Sequence, residues 1–448
     1  MSPSTGVGNL RDSLRTQLWP VPLVAALAAI CLGQLVPYLD RQFQDHLPVV
    51  VAGFLFGGGP EAAQAVMQTI AGSLVTVTSL TFSLTVVTLQ LASSQFSPRL
   101  LRTFSRDVFV HNTLALFLAT FVFSLTVLRS IRVETSEGDG FVPRISITVG
   151  FGLTLASVIA LVFFLAHLAI QIRVETMLRD VHDEAGQAIE RIFPRHGNAR
   201  PTGLAGSRPG GTLIESDVSG FLLGVDANAV RAAAMKADSF VVIDAMPGDS
   251  LISGVPFARA WPADGRALDG QRLTDLSEGI TNSLSKGFER TSTWDAGFGL
   301  QQLLDVASRA LSPGINDPTT AVHAVGHISA VLCTLAARHT GPKLHVDEQD
   351  QPRVILNFPT FEHLLDQVMR QMIRYALNDP RSAERVVRML RELSWVAGPG
   401  PHSSVIQDSV AAVQIAIGAA DLSDDEKRRL RSECDAVAAA GNGIWPVP

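Results

Sequence analysis

The sequence predicts an α-helical membrane domain of four transmembrane helices followed by a cytoplasmic α+β domain. The second part is expected to hold a small β-barrel or sandwich module and a larger helical region. Three observations carry this. The 448 residues are 47% hydrophobic and only 17% charged, against about 25% charged in ordinary soluble chains. Residues 1–172 contain nine Arg, no Lys and eight acidic residues, while residues 173–448 hold 27 basic and 34 acidic groups. Past residue 211 the long apolar runs give way to short strand-like segments and then to helical periodicity.

A bilayer core about 30 Å thick takes roughly 20 apolar helical residues. The first span is predicted at 18–38, uncharged from Leu18 to Tyr38 and preceded by Arg11 and Arg15. Its length and the following "QLVPYLD" fit a retained anchor better than a cleaved signal peptide. "LPVVVAGFLFGGGP" is too short and glycine-rich to cross and reads as an interfacial loop. The second span, at 64–93, lies in a run without any charge between Glu61 and Arg99. At 1.5 Å per residue that run reaches about 55 Å, so one helix is expected to project beyond the membrane and end before Pro98. The third and fourth spans are predicted at 108–128 and 145–172, the last bracketed by Arg144 and Arg173. Together these define a transmembrane domain over 1–173.

Cytoplasmic flanks hold an excess of Lys and Arg. With the N-terminus inside, the inner flanks carry Arg11, Arg15, Arg99, Arg102, Arg106, Arg173 and Arg179, and the outer flanks Arg41, Arg129, Arg132 and Arg144. The bias predicts a multi-pass membrane protein with both termini and the large second part in the cytoplasm.

The second span is unusually polar. "SLTFSLTVVTLQLASSQFSP" places a hydroxyl or amide at almost every second position. On a helical wheel Thr76, Ser83, Gln90 and Ser97 repeat every seventh residue, and Ser73, Ser79 and Ser94 fall on the same side. Thr78, Thr81, Thr85, Thr88 and Gln95 make a second, looser stripe, with the apolar Val75, Phe82, Val86 and Leu89 between them. Two readings stay open. Hydroxyls in membrane helices bond their own i−4 carbonyl or join helices. Alternatively, several copies line a hydrated conduit, for which Gln90 argues because its amide is hard to satisfy within one helix. No ionisable residue lies in the stripe, which disfavours a proton relay. Arg99, Arg102 and Arg106 follow at helical spacing, as a lipid-phosphate anchor or a cationic ring at the cytoplasmic mouth. His111, Asn112 and His167 lie near span ends and read as interfacial. Gly150 and Gly152 permit close helix approach.

Residues 174–211 are read as a connecting helix, with Met177, Val181, Ala185, Ile189 and Phe193 on one face, and a Gly/Pro/Arg-rich linker from Pro194 to Gly211. Residues 212–262 form the β-rich module: "TLIES", "SGFLLGVD", "SFVVIDAM" and "GVPFARAW" read as strands, with the helix "ANAVRAAAMKA" among them. "MPGDSLISG" gives turn, strand and turn. From 263 to 448 the pattern is mainly helical, near 272–286, 297–311, 318–338, 360–377, 381–396, 403–419 and 424–439. One strand, Pro352–Phe358, interrupts it. Asp317 before Pro318 is a helix N-cap with proline at the first position.

Asp295, Asp305, Arg309, Asn316 and Asp317 form the densest polar segment, either a ligand pocket or a self-capping helical turn. His323 and His327 share a helix face at i and i+4, but the HExxH glutamate and an evident third ligand are missing. No metal and no cofactor are expected on this basis. Cys31, Cys333 and Cys434 show no CxxC spacing, and nucleotide-binding loops, nucleophile elbows and kinase signatures are absent from the sequence. An acidic second half argues against nucleic acid.

Three long segments carry a resemblance: "IAGSLVTVTSLTFSLTVVTLQLASSQFSPRLLRTFSRD", "PGDSLISGVPFARAW" and "RALSPGINDPTTA". Together they resemble the bacterial predicted membrane proteins grouped as domain of unknown function 2254, from Leu18 to about Ala419. The resemblance implies an inner-membrane protein with four N-terminal spans and a cytoplasmic domain, and implies no activity. The functional expectation is a non-enzymatic homo-oligomeric channel for ions or small solutes, contacting lipid and further copies of itself. Its second helix would line the conduit and its cytoplasmic domain would form a vestibule or gate. The alternative is a membrane-anchored sensor or scaffold that binds a ligand or partner.

Overall fold

The computed structural model describes residues 19–43, 55–95, 107–132, 141–171, 173–195, 210–263, 268 and 270–445. They belong to two compact units, residues 1–173 and 174–448.

In the first unit the uncharged runs form α1 (Pro20–Phe43), α2 (Pro60–Gln95), α3 (Val108–Leu128) and α4 (Arg144–Gln171). All four are long and apolar enough to cross a membrane. Helix α3 packs against each of the others, and half of its apolar window is buried against 17–28% in its neighbours, which makes it the central helix. Ala63, Met67, Ile70 and Leu74 of α2 meet Phe123 and Val127 of α3, Ile147 of α4 and Ala29 of α1. Helix α1 approaches closely at Gly33, where a Cβ would stand 2.7 Å from Thr126 Cβ, the small-residue contact typical of helices without a hydrophobic drive to associate. Large apolar side chains such as Val24, Leu27, Phe151, Val162 and Phe163 remain exposed on the outer faces, a continuous apolar surface that only lipid or protein can cover.

A fifth helix meets the same length and hydropathy criteria, α9 (Pro318–Ala336) of the second unit. Its apolarity has another cause. Ala321, Ala324, Val325, Ile328, Val331, Leu332 and Leu335 are all buried among protein, because a helix apolar nearly all round is equally the signature of a domain core.

The second unit begins with α5 (Val174–Ile192), followed by β1 (Thr212–Glu215), β2 (Gly220–Val225), α6 (Ala227–Lys236), β3 (Ser239–Ile243), β4 (Ser250–Leu251) and β5 (Pro256–Pro262). Next come α7 (Gly270–Asn282), β6 (Leu284–Gly287), α8 (Ala296–Ala310), α9, β7 (Lys343–Val346) and β8 (Pro352–Leu356). Helices α10 (Phe361–Tyr375), α11 (Pro380–Ala397), α12 (Ser403–Ala419) and α13 (Asp424–Gly441) complete it.

Of the barrel or sandwich expected for 212–262, a closed barrel does not form. The strands lie in an open five-stranded sheet, β1-β5-β3-β8-β7, and a three-stranded sheet, β4-β2-β6. Strand β8 pairs in parallel with β3, Val241 opposite Val354, so the sheet grows by recruiting a distant strand instead of turning back on itself. Two further expectations are corrected. The helix expected over 272–286 stops at Asn282, and Leu284–Gly287 is the strand that pairs with β2. Lys343–Val346, unassigned from sequence, is a strand antiparallel to β8.

Helix α5 lays Met177, Leu178, Val181, Ala185, Ala188, Ile189 and Ile192 into the second unit, against α8 and α9. At the tightest point a Cβ on Gly299 would come 2.5 Å from that of Ala185. The end of α5 is fastened by Arg338, whose Nη1 donates to Phe193 O at 2.8 Å, and by Lys343, whose Nζ donates to Ile192 O.

Candidate functional site

Helix α2 has two polar sides with different fates. The looser threonine stripe faces inward: Thr81, Thr85 and Thr88 are buried, and each hydroxyl donates to a carbonyl of the preceding turn, at 2.8, 2.9 and 2.9 Å. Thr78 does the same to Leu74 O at 2.6 Å. These hydroxyls carry no unmet demand into the core. The other stripe faces outward. Ser73, Thr76, Ser79, Ser83 and Gln90 are all exposed. At about 100° per residue they lie roughly opposite the buried Ala63, Met67, Ile70 and Leu74. Leu80, Phe82 and Val87 flank them and are exposed as well. Thr76 also bonds Gly72 O, at 3.3 Å. The helix therefore presents a strip of hydroxyls and one amide away from its own bundle. Ser97, Arg99, Arg102 and Arg106, and the side chains of Ser94 and Gln95, lie outside the described residues.

Two carboxylates hold the ends of the bundle, and sequence reasoning missed both. Asp40, at the end of α1, is fully buried and accepts from Ile145 N at 3.2 Å, Ser146 N at 2.9 Å and Ser146 Oγ at 3.1 Å. It thus caps α4 from another helix, satisfying amides that have no partner within a first turn and complementing the positive end of the dipole. Asp107 caps α3 through Phe109 N at 2.9 Å. Its Oδ2 also meets His167 Nε2 at 2.5 Å and Gln171 Nε2 at 2.9 Å, both on α4. His111 is buried on the same α3 face, one turn on, and its Nε2 has no hydrogen-bond partner among the described residues.

In the second unit the five candidate residues do not converge. Asp295 caps the start of α8, accepting from Gly297 N at 3.1 Å. It pairs with Arg290 at 2.6 Å with only 6% of its side chain exposed. Burial nevertheless raises its pKa above the usual carboxylate range, outweighing the arginine. Asp317 lies beyond the far end of the same helix, about 22 Å away along 15 residues at 1.5 Å each. It caps α9 through Thr320 N at 3.1 Å and Thr320 Oγ1 at 2.6 Å; these bonds hold its pKa below the usual value. Asn316 turns the chain between the helices at φ 49°, a left-handed conformation that Asn tolerates. Asp305 accepts from Gln301 at 2.7 Å on the α8 surface, and Arg309 lies one turn later. The segment is chiefly two N-capped helices, the end of α8 joined to the start of α9 by a tight turn.

What the structure does bring together is Asp295, Arg290 and the "PGDS" turn. Gly248, at φ 99°, lets that turn approach so closely that a Cβ there would stand 2.3 Å from Asp295 Oδ2. His327 meets His182 of α5, ring centres 5.2 Å apart. Its pKa is lowered by burial and by the neighbouring His182 and His323. Burial pushes the Cys333 and Cys434 thiols up to about 11 and about 12, the behaviour of inert packing residues.

The exposed apolar helices and the buried polar clasps at their ends describe a protein that resides in a membrane. Residues 15–392 match the predicted membrane proteins designated DUF2254, and the chain belongs to that family. Uncharacterized proteins of Mycobacterium bovis and Mycobacterium tuberculosis are each 29% identical to it over 407 residues, covering 90% of this chain and 76% of theirs. No solved structure matches.

Proposed function

We propose that the protein is a homo-oligomeric channel for ions or small solutes in the bacterial inner membrane. Copies of α2 line the conduit, and the second unit serves as a vestibule or gate. In this reading α1 to α4 are the four spans and both termini are cytoplasmic, an orientation that rests on the arginine bias of the flanks. One observation carries the proposal: Ser73, Thr76, Ser79, Ser83 and Gln90 are exposed on the side of α2 turned away from its own bundle. Were they glue within a single copy, they would be buried as Thr81, Thr85 and Thr88 are. A Gln amide left in hydrocarbon costs several kcal/mol on the order of an unmade hydrogen bond, so water or another copy must meet it. With no charge in the stripe, discrimination comes from passage width and weak dipoles.

The test is the oligomeric state in nanodiscs together with single-channel recording in planar bilayers. An oligomer with discrete conductance supports the proposal; a monomer without current under salt gradients and membrane tension overturns it. The sensor reading draws on a different feature, an open groove of about 420 Å³ between α8 and α10 lined by Gln301, Asp305, Arg370, Arg374 and Tyr375. Small anions that raise the melting temperature of the protein, with the rise lost in Arg374→Ala, would support it.

A further inference from the structure

We propose that α12 is a contact between the second units of two copies of this chain, paired antiparallel about a two-fold axis. The helix is more apolar than its own unit requires. Over Ser403–Ala419 its one charged residue is Asp408, whereas α13, which packs beside it, holds nine. Ile406, Val410, Val413 and Ile417 turn inward and are buried. The opposite face, made by Asp408, Ala411, Ala412, Ile415, Gly418 and Ala419, is exposed throughout. At about 100° per residue it covers about a third of the circumference. Ile415 stands in it 78% exposed. A helix face turned to water ordinarily carries charge, and a bare apolar one calls for cover.

A second copy fits this face in one register, by charge and by size. Arg431 of α13 lies at its edge, with Nη2 3.3 Å from where a Cβ on Gly418 would stand. Asp408 and Arg431 are both exposed, and neither has an ion-pair partner among the described residues. Set α12 against its copy so that Ile415 meets Ala411 of the second copy. A large side chain then faces a small one, as in ridge-and-groove packing. The same register places Asp408 opposite Gly418 of the second copy, beside that copy's Arg431, and symmetry makes the ion pair twice. Sliding by three residues would instead press the carboxylate onto Ile415, a costly unpaired burial. Lipid is the poorer occupant, because anionic headgroups repel the one charge that α12 carries. A lone helix pair buries less than the roughly 1,000 Å² expected of a dimer in solution. Copies held in one bilayer meet at high effective concentration and need less. The inference rests on the self-association proposed above, but not on the conduit.

The experiment uses the full chain with its exposed membrane thiol removed by Cys31→Ser. Chains carrying Ala411→Cys and Ile415→Cys are co-expressed with different tags and oxidised in membranes with copper phenanthroline. A disulfide joining the two tags is expected. Asp408→Arg or Arg431→Glu, placed in both chains, should each lower its yield at least about fivefold. The two reversals together should restore it, which also shows that the variants fold. No mixed disulfide in the unreversed pair overturns the proposal, as does a yield that neither single reversal moves or that the double reversal leaves low. A mixed disulfide in a protein without conductance supports this contact and sinks the channel. A conducting oligomer without the disulfide does the reverse.

Discussion

Asp107 and His167 stand 2.5 Å apart, and the same carboxylate that clasps α4 through His167 caps α3 through Phe109 N. One side chain thus ends one helix and ties down another. The side chains are 11% and 30% exposed respectively, so the pair is only partly screened. Asp107→Ala and His167→Ala should each lower the melting temperature in detergent. The double variant should fall by less than the sum, with a coupling on the order of 1 kcal/mol. Strict additivity would mean that the contact contributes nothing.

At the other end of α4, Asp40 supplies a cap that the local sequence does not. Asp40→Ala strands two backbone amides and one hydroxyl, at about 1–3 kcal/mol for each buried group left unpaired. Asp40→Asn keeps an acceptor and should recover part of the loss. Comparing the melting curves of the two variants checks this, and equal loss in both would assign the effect to charge alone.

The two stripes of α2 make opposite predictions. Gln90→Leu and Ser83→Leu should sharply reduce conductance while leaving the fold of each chain intact, since both residues are exposed. Thr85→Val should leave conductance unchanged, because that hydroxyl is buried and bonded to its own helix. Bilayer recordings of the three variants decide between conduit and packing; loss only in Thr85→Val would reverse the assignment.

The caps of α8 and α9 respond to pH with opposite sign. Asp295 has a raised folded-state pKa, so the folded state holds its proton longer than the unfolded one. Stability associated with it falls as pH rises from about 4, the ordinary value, to the raised value. Asp317 has a lowered pKa; its contribution is full above about 4 and is lost as pH falls through the folded value. Melting temperature measured against pH should lose its decline above pH 4 in Asp295→Asn, and should lose part of its acid-side fall in Asp317→Asn.

Gly299→Ala should drive α5 from α8, because the added methyl would stand 2.5 Å from Ala185 Cβ. Overpacking of this kind costs about 1–3 kcal/mol. Thermal unfolding would reveal it, with Ala185→Gly as the compensating second change.

Much of the helical layout was legible because charge boundaries and caps are local. Arg144 and Arg173 bracket α4, and Asp317-Pro318 opens α9. What was not legible depends on distance along the chain. Leu284–Gly287 reads as more helix until β2, some sixty residues earlier, offers it a ladder. Strand β8 belongs beside β3, a pairing that no local pattern encodes. Asp40 lies 106 residues from Ser146 and Asp107 lies 60 from His167, so each looked like an ordinary flanking acid. The polar stripes of α2 were visible as a pattern, but only burial separated the threonines that serve the bundle from the serines that face away.

The seating of α5 changes where the second unit has to start. Composition suggests cutting after the glycine- and proline-rich stretch near 211. A polypeptide begun there would lack the helix that packs on α8 and α9, leaving Gly299 without Ala185 beside it and Arg338 without its carbonyl. The second unit as a compact body begins at Val174, one residue past the first unit.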